Sequence, residues 1–194
     1  NVLQVTVRAD LTAGSVSGNQ TVCPGGNPSA FTSVLPTGGQ GNYTYQWESG
    51  PSASGPWSNV SGATAATLDL ASVATTTHYR RKVTDGCGVL YSNTIAVTVS
   101  DLSAGSIAAS QSICYQDAPA AFTSTAAASG GVGAPSYQWQ SSPTPSPVDF
   151  VNISGATAAT YGAPQLTTTT YYRRNVSNSC GLKSTSALTV AVAG

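Results

Sequence analysis

The sequence has 194 residues, a formal net charge of zero and only 7% charged side chains. Ordinary soluble domains carry roughly 25% charged residues, so hydroxyl-bearing and small side chains must cover most of this surface. Nothing in this charge balance attracts phosphates or anionic lipids, and the composition therefore argues against a nucleic-acid partner. No uninterrupted apolar run approaches the length of about 18 residues that a spanning helix needs, so we predict no membrane span.

The first residues of the chain resemble a later segment. The sequence NVLQVTV at residues 1–7 matches NTIAVTV at residues 93–99, which we predict to be the last strand of a first repeat. Two interpretations of residues 1–9 remain open: the last strand of a preceding repeat in a longer array, or a donor strand that completes a neighbouring subunit and links copies into a filament. The apolar residues of this candidate donor strand are Val2, Leu3, Val5 and Val7.

The remaining chain contains two copies of one pattern. The sequence SGATAAT at residues 61–67 returns unchanged at residues 154–160, and a Tyr-Arg-Arg triplet beginning at Tyr79 returns at Tyr172. Both motifs recur 93 residues later, and a period of this length indicates tandem domains. We predict one domain over residues 10–100 and a second over residues 101–194, each large enough to have its own core.

Short alternating stretches broken by Gly, Pro and Asn indicate an all-β fold. In the first repeat we predict strands at residues 14–22, 29–35, 43–48, 57–60, 67–70, 77–84 and 91–99. Seven short strands in a domain of this size predict a β-sandwich.

An alternating aromatic row marks the third predicted strand of each repeat. Tyr43, Tyr45 and Trp47 share one face of this strand, and Tyr137 and Trp139 repeat the arrangement. We interpret the row as core, because each domain needs large side chains to fill its interior. The alternative is a flat aromatic surface that stacks on sugar rings.

Two arginines fall on the apolar face of the sixth predicted strand. Arg81 and Arg174 alternate with core residues, and a charged group in that position needs a partner. We predict that each guanidinium lies against an aromatic ring of the neighbouring strand, with Trp47 and Trp139 as the expected partners. The residues of this predicted core of aromatic and arginine side chains are Tyr45, Trp47, Tyr79, Arg81, Tyr137, Trp139, Tyr172 and Arg174.

The four cysteines fall in equivalent positions of the two repeats. This regularity predicts one disulfide inside each domain, Cys23 with Cys87 and Cys114 with Cys180. Closing a loop of about 65 residues would contribute about 4 kcal/mol in the chain-entropy picture, and disulfides indicate an oxidising, extracytoplasmic compartment. The alternative is four free thiols in a reducing compartment.

Catalytic residues are scarce in this sequence. His78 is its only histidine, and no pair of carboxylates occurs in both repeats, so we predict no enzyme, no cofactor and no metal site. Two alternatives remain open. Arg80 and Arg173 could form an anion-binding patch, and Asp10 and Asp101, at equivalent positions, could contribute to a calcium site.

The ordered pattern of both repeats resembles the immunoglobulin-like modules of very large secreted surface proteins and adhesins of Bacteroidota. The pattern consists of a first Cys, Tyr-Gln-Trp, Ser-Gly-Ala-Thr, Thr-Thr-x-Tyr-Arg-Arg, a second Cys and a closing Thr-Val strand, and it covers essentially the whole chain. The resemblance implies two tandem immunoglobulin-like, seven-stranded sandwiches that are exported to the cell surface. In antibody domains the second cysteine follows the equivalent tyrosine more closely, so we expect the disulfide near one end of each sandwich.

These observations predict a non-catalytic structural or adhesive repeat segment of an extracellular bacterial surface protein or filament. The predicted partners are neighbouring repeats or subunits of the same protein. The alternative is a carbohydrate-binding module that holds a surface glycan on loops 37–42, 50–56 and 143–147.

Overall fold

A computed structural model of the protein describes residues 3–194. The chain divides into two compact units, unit 1 (Asn1–Ser100) and unit 2 (Asp101–Gly194). The described residues form strands and no helix, which confirms the predicted all-β fold.

Unit 1 is a sandwich of a small and a large sheet. β1 and β3 pair antiparallel in the small sheet, and the large sheet has the order β2-β8-β6-β4-β5, with β7 also paired to β6. The strands of unit 1 are β1 (Ser15–Ser17), β2 (Gln20–Val22), β3 (Thr32–Val34), β4 (Thr44–Gly50), β5 (Ser58–Asn59), β6 (Thr77–Asp85), β7 (Gly88–Tyr91) and β8 (Ile95–Val99).

Unit 2 repeats this architecture strand for strand. β9 and β11 form its small sheet, and its large sheet has the order β10-β16-β14-β12-β13, with β15 paired to β14. The strands of unit 2 are β9 (Ser106–Ile107), β10 (Gln111–Cys114), β11 (Ser124–Ala126), β12 (Ser136–Ser142), β13 (Val151–Asn152), β14 (Thr170–Asn178), β15 (Gly181–Ser184) and β16 (Leu188–Ala193).

The number and limits of the strands differ from the seven predicted. The first predicted strand is split at Gly18, whose φ of 128° and close approach to Phe31 let the chain cross from the small to the large sheet. Residues 67–70 are not a strand, although Leu68 is buried and its carbonyl accepts the Phe31 N–H. The last predicted strand, at residues 91–99, begins later, as β8 from Ile95, and β7 (Gly88–Tyr91) precedes it along the same edge of β6.

The core of each unit lies between its two sheets. Strict alternation on β6 buries Tyr79, Arg81 and Val83 on one face, as period-two side-chain geometry requires. Phe31 packs against both Trp47 and Tyr79, with ring centroids 5.8 Å and 5.5 Å away. In unit 2, Phe122, Trp139 and Tyr172 form the corresponding cluster.

Candidate functional site

The buried arginine of unit 1 connects the two sheets of the sandwich. Arg81 is fully buried on β6 of the large sheet, and its guanidinium donates hydrogen bonds to the Ser33 hydroxyl and the Val34 carbonyl of β3 in the small sheet. It also donates to the carbonyls of Ala13 and Ala66, at 3.0 Å and 2.8 Å. These acceptors are all uncharged, so the cation is stabilised by dipoles rather than by a carboxylate.

Unit 2 has the same arrangement around Arg174. This side chain is also fully buried, and it donates to the Ser124 hydroxyl of β11, to the Ala159 carbonyl and to the Ala104 carbonyl, at 2.6 Å, 2.6 Å and 3.2 Å. Burial lowers the pKa of both arginines below the usual value, and the nearby Tyr45 and Tyr137 partly offset that effect.

The aromatic partners of these arginines differ in part from the prediction. The guanidinium carbon of Arg81 lies 5.1 Å from the ring centroid of Tyr45, and Trp47 is not its stacking partner. In unit 2, Arg174 lies 4.9 Å from the Tyr137 ring and 5.8 Å from the Trp139 ring. Trp47 lies directly opposite Arg81 in the ladder between β4 and β6, but its indole N–H is hydrogen-bonded elsewhere.

The repeated SGATAAT loop accepts hydrogen bonds from the largest core side chains. The Trp47 indole N–H donates to the Ala65 carbonyl at 3.0 Å, and Arg81 donates to the next carbonyl, that of Ala66. Trp139 donates to Ala158 in the same way. Gly62, with a φ of 71°, gives the loop a turn that other residues rarely adopt. The loop has the same sequence in both repeats, and this repetition is the feature of the sequence that indicates its structural role.

The outward-facing arginines are engaged with their own neighbours. Arg80 lies between the rings of Trp57 and Tyr91, at 4.4 Å and 4.0 Å, and its Nε is 2.7 Å from a carboxylate oxygen of Glu48. In unit 2, Arg173 stacks on Phe150 at 4.3 Å and donates to the side-chain oxygen of Gln140. Because these cations already have partners, an anion patch on this face has little support.

Trp47 and Trp139 are fully buried, so their rings cannot stack on sugars.

His78 is half-buried on β6, and its Nδ1 has no hydrogen-bond partner. Within residues 3–194, no group of three or more His, Cys, Asp or Glu side chains could hold a metal ion. The part of the chain that the structure describes also has no helix long and apolar enough to cross a bilayer.

The cysteines do not pair within each unit, and the predicted Cys23–Cys87 and Cys114–Cys180 disulfides are wrong. Cys23 and Cys180 are disulfide-bonded, whereas Cys87 and Cys114 are free and exposed.

The reason is the direction of β2. This strand runs parallel to β8, with Val22 opposite Val99, and Cys23 therefore lies beside the end of the last strand. Cys87 follows the opposite end of β6, in the turn to β7. The nine residues of β6 separate the two cysteines by roughly 30 Å, whereas a disulfide needs Cα atoms within about 7 Å.

A groove of about 700 Å³ lies beside Cys87 in unit 1. Thr6, Arg8 and Leu11 line one side of it, and Gln40 lines it together with the turn that carries Cys87. The segment is fixed there because Arg8 donates to the Gln40 carbonyl and the Gly39 N–H donates to the Ala9 carbonyl.

The predicted donor strand lies next to this groove. Leu3, Val5 and Val7 are 91%, 83% and 91% exposed, and Val2 lies outside the described residues. Their counterparts Ile95 and Val97 on β8 are 2% and 0% exposed. The same apolar pattern is therefore covered by a sandwich in one place and left uncovered in the other.

Comparison with known proteins identifies the family. Residues 12–101 and again 103–194 match a family described as Domain of unknown function (DUF8696). The chain belongs to this family. It contains two DUF8696 domains in tandem, and no curated protein matches it.

Several solved structures are similar to this chain. An I-band fragment of titin has a TM-score of 0.54 at 12% identity, over 95% of this chain and 66% of that one. The first four immunoglobulin domains of Sidekick-1 give 0.45 at 15%, over 93% and 48%, and the N-terminal four Ig domains of Dscam1 isoform 7.44 give 0.45 at 12%, over 98% and 48%. The chain thus spans about half to two thirds of these structures. The likeness to titin concerns the fold alone, and the immunoglobulin-like sandwich is confirmed.

Proposed function

We propose that this chain is a non-catalytic structural or adhesive repeat segment of an extracellular bacterial surface protein or filament. One observation carries the proposal: residues 3–7 expose an apolar segment, whereas Ile95 and Val97, its counterparts on β8, are buried in unit 1. Another sandwich that covered this segment would remove its apolar side chains from water. A unit of this kind extends a series of like units, and residues 1–9 are then the last strand of a neighbouring repeat.

Three further features support a location outside the cell. The disulfide-bonded state of Cys23 and Cys180 is typical of oxidising compartments. The low charge and the resemblance to surface modules of Bacteroidota agree with export. The buried arginine, its serine hydroxyl partner and its two alanine carbonyl partners recur in both repeats, whereas the loops at residues 50–56 and 143–147 differ.

The carbohydrate-binding alternative has lost its main support, because the aromatic rows point into the cores. It now depends on the variable loops alone. A glycan array probed with the 194-residue chain addresses it: saturable binding to one class of glycan would favour the alternative, and its absence would favour the structural role.

Electron microscopy tests the proposal directly. Antibodies raised against the chain should label extended structures on the surface of the cells that produce it. Labelling confined to the cell interior would overturn the proposal. Deleting residues 1–8 then separates the two kinds of array. If the purified chain polymerises and the deletion abolishes polymerisation, the strand is donated between subunits. A purified chain that stays monomeric indicates repeats joined by peptide bonds.

A further inference from the structure

One sequence motif for sugar attachment occupies the same position in both repeats. The sequence Asn-x-Ser/Thr, which accepts N-linked sugars, occurs in the chain at Asn19, Asn42, Asn59, Asn152 and Asn175. Three of these motifs have no counterpart, because the equivalent residues of the other repeat are Ser110, Ala134 and Lys82. Asn59-Val-Ser and Asn152-Ile-Ser coincide when the repeats are aligned, which indicates a use shared by both units.

Both coinciding motifs lie on the outermost strand of a large sheet. Asn59 is in β5 and Asn152 is in β13, and each strand stands last in the order of its sheet. The two asparagines are exposed, and so are Ser61 and Ser154, the hydroxyl residues of the motifs. In unit 2 the Gln140 side-chain amide donates to Oδ1 of Asn152 at 2.8 Å. This bond orients the Asn152 amide through its oxygen, whereas a sugar is attached to its nitrogen.

The structural role of the SGATAAT loop does not account for the serine of the motif. Ser61 and Ser154 are the first residues of this loop in the two repeats. Core side chains bond to the alanine carbonyls of the loop, and Gly62 provides its turn. An exposed serine hydroxyl takes part in neither, whereas the glycosylation motif requires a hydroxyl residue two positions after the asparagine.

The edges at β5 and β13 lack the usual protection against pairing with other strands. Natural proteins protect exposed sheet edges with charged side chains, with proline or with a covering element. β5 consists of Ser58 and Asn59, β13 consists of Val151 and Asn152, and Val151 is 65% exposed. Neither strand contains a charged residue or a proline, and only 7% of the whole chain is charged. A bulky, hydrophilic group on the asparagine of each strand would supply this protection.

We propose that Asn59 and Asn152 are N-glycosylation sites whose sugars cover the β5 and β13 edges. In the reaction, the asparagine Nδ2 forms a bond to the anomeric carbon of a sugar carried on a lipid pyrophosphate. The bond between that carbon and the pyrophosphate oxygen breaks, and the lipid pyrophosphate leaves with the proton that the amide loses. The inference rests on the export that forms part of the proposed function.

Glycopeptide mass spectrometry of the protein isolated from its source tests this inference. Fragmentation that preserves the bond between sugar and peptide assigns each sugar to one residue. We expect a sugar on Asn59 and a sugar on Asn152. An unmodified asparagine at either position, or a sugar on the hydroxyl of Ser61 or Ser154 instead, would overturn the inference. Surface labelling is a separate measurement, so labelled arrays with unmodified asparagines would contradict this inference and leave the proposed function intact.

Variants produced in the same cells separate the motif from its surroundings. Ser61→Ala combined with Ser154→Ala keeps both asparagines and should lose both sugars, a change that intact mass measures. Ser61→Thr combined with Ser154→Thr preserves the motif and should retain them. Thr21→Ala, which removes the motif at Asn19, is the matched control and should leave the attached sugar mass unchanged. Sugars that persist on the two asparagines in the doubly alanine-substituted chain would show that the motif is not responsible.

The covering role of the sugars has its own measurement. The doubly alanine-substituted chain without sugars should associate at a lower concentration than the glycosylated chain, as followed by light scattering. Ser58→Lys combined with Val151→Lys in that chain should reverse the effect, because charged side chains also protect an edge. Equal association of the glycosylated chain and the chain without sugars would contradict the covering role.

Discussion

Arg81 lies over the ring of Tyr45, with 5.1 Å between the guanidinium carbon and the ring centroid, in the interior of unit 1. No carboxylate accepts a hydrogen bond from this guanidinium among the contacts described for it. Arg81 itself belongs to the large sheet, and its partners are a hydroxyl and a carbonyl of β3 in the small sheet and the carbonyls of Ala13 and Ala66, so the arginine acts as a polar cross-brace of the sandwich. Loss of the side chain leaves these acceptors without the donors that it supplies.

Replacing Arg81 by Met should therefore strongly destabilise unit 1. Each buried acceptor left without a donor costs about 1–3 kcal/mol, and we expect a total loss of about 3 kcal/mol or more in the free energy of unfolding. Urea denaturation followed by tryptophan fluorescence measures this loss, since unit 1 contains Trp47 and Trp57.

The neighbouring Arg80 provides the matched control. Its side chain faces outward, 22% exposed, and is paired with Glu48 and two aromatic rings. Arg80→Met should cost about 1 kcal/mol, because partly exposed ion pairs and stacked cations contribute little. Equal losses for the two variants would contradict the bracing role of Arg81.

The period of two along the chain was enough to place Arg81 in the core, and the aromatic rows on β4 and β12 were predicted in the same way. The partners of Arg81 could not be predicted, because three of them are backbone carbonyls, which no side-chain pattern reports. The strand predicted at residues 67–70 is wrong for a related reason. Leu68 is buried as in a strand, but the backbone there is not part of a ladder.

The cysteine pairing failed because symmetry between repeats does not give the direction of a strand. The alternating stretch from residue 14 to residue 22 predicts one strand. The chain in fact crosses between sheets at Gly18, after which β2 runs parallel to β8, and this glycine is the only feature of the sequence that indicates the crossing. The parallel pairing places Cys23 beside the end of β8, whereas Cys87 lies in the turn between β6 and β7, at the other end of the sheet.

The observed cysteine states predict a specific labelling pattern. The monomeric 194-residue chain, unfolded without reductant and alkylated, should be modified at Cys87 and Cys114 and at neither of the other two cysteines. Peptide mass mapping reads these sites, and modification of Cys23 in the unmutated chain would contradict the structure.

The turn that carries Cys87 should weaken in acid. Partial burial raises the pKa of Asp85, but backbone hydrogen bonds from Cys87 and Gln40, at 2.7 Å and 2.6 Å, outweigh it, and the net pKa lies below the usual value. A carboxyl group with a depressed folded-state pKa stabilises the fold above its unfolded pKa of about 4, and that contribution is lost as the pH falls through the folded value.

Asp85→Asn isolates this contribution, because Asn178 occupies the same position in unit 2. Amide hydrogen exchange of Gln40 and Cys87 should be faster in the variant than in the unmutated chain at about pH 6, and the difference should shrink near pH 3. The Cys180 amide, which already donates to Asn178, should show no such change. A difference that is constant with pH would show that the carboxylate charge is not responsible.

Alkali should destabilise unit 2 through a buried phenol. Burial, with a further contribution from Tyr161, raises the pKa of Tyr172 to about 12, and the residue is 3% exposed. An acid whose pKa is raised on folding stabilises the fold below its unfolded value of about 10, and this contribution disappears as the pH rises towards 12. At most about 3 kcal/mol is lost over that interval.

Tyr172→Phe should remove this part of the alkaline destabilisation, measured by urea denaturation at several pH values with tyrosinate absorbance recorded in parallel. Tyr115→Phe is the control, since Tyr115 is 56% exposed and lies outside the core. An alkaline profile that is the same in Tyr172→Phe and in the unmutated chain would show that this phenol does not limit stability in alkali.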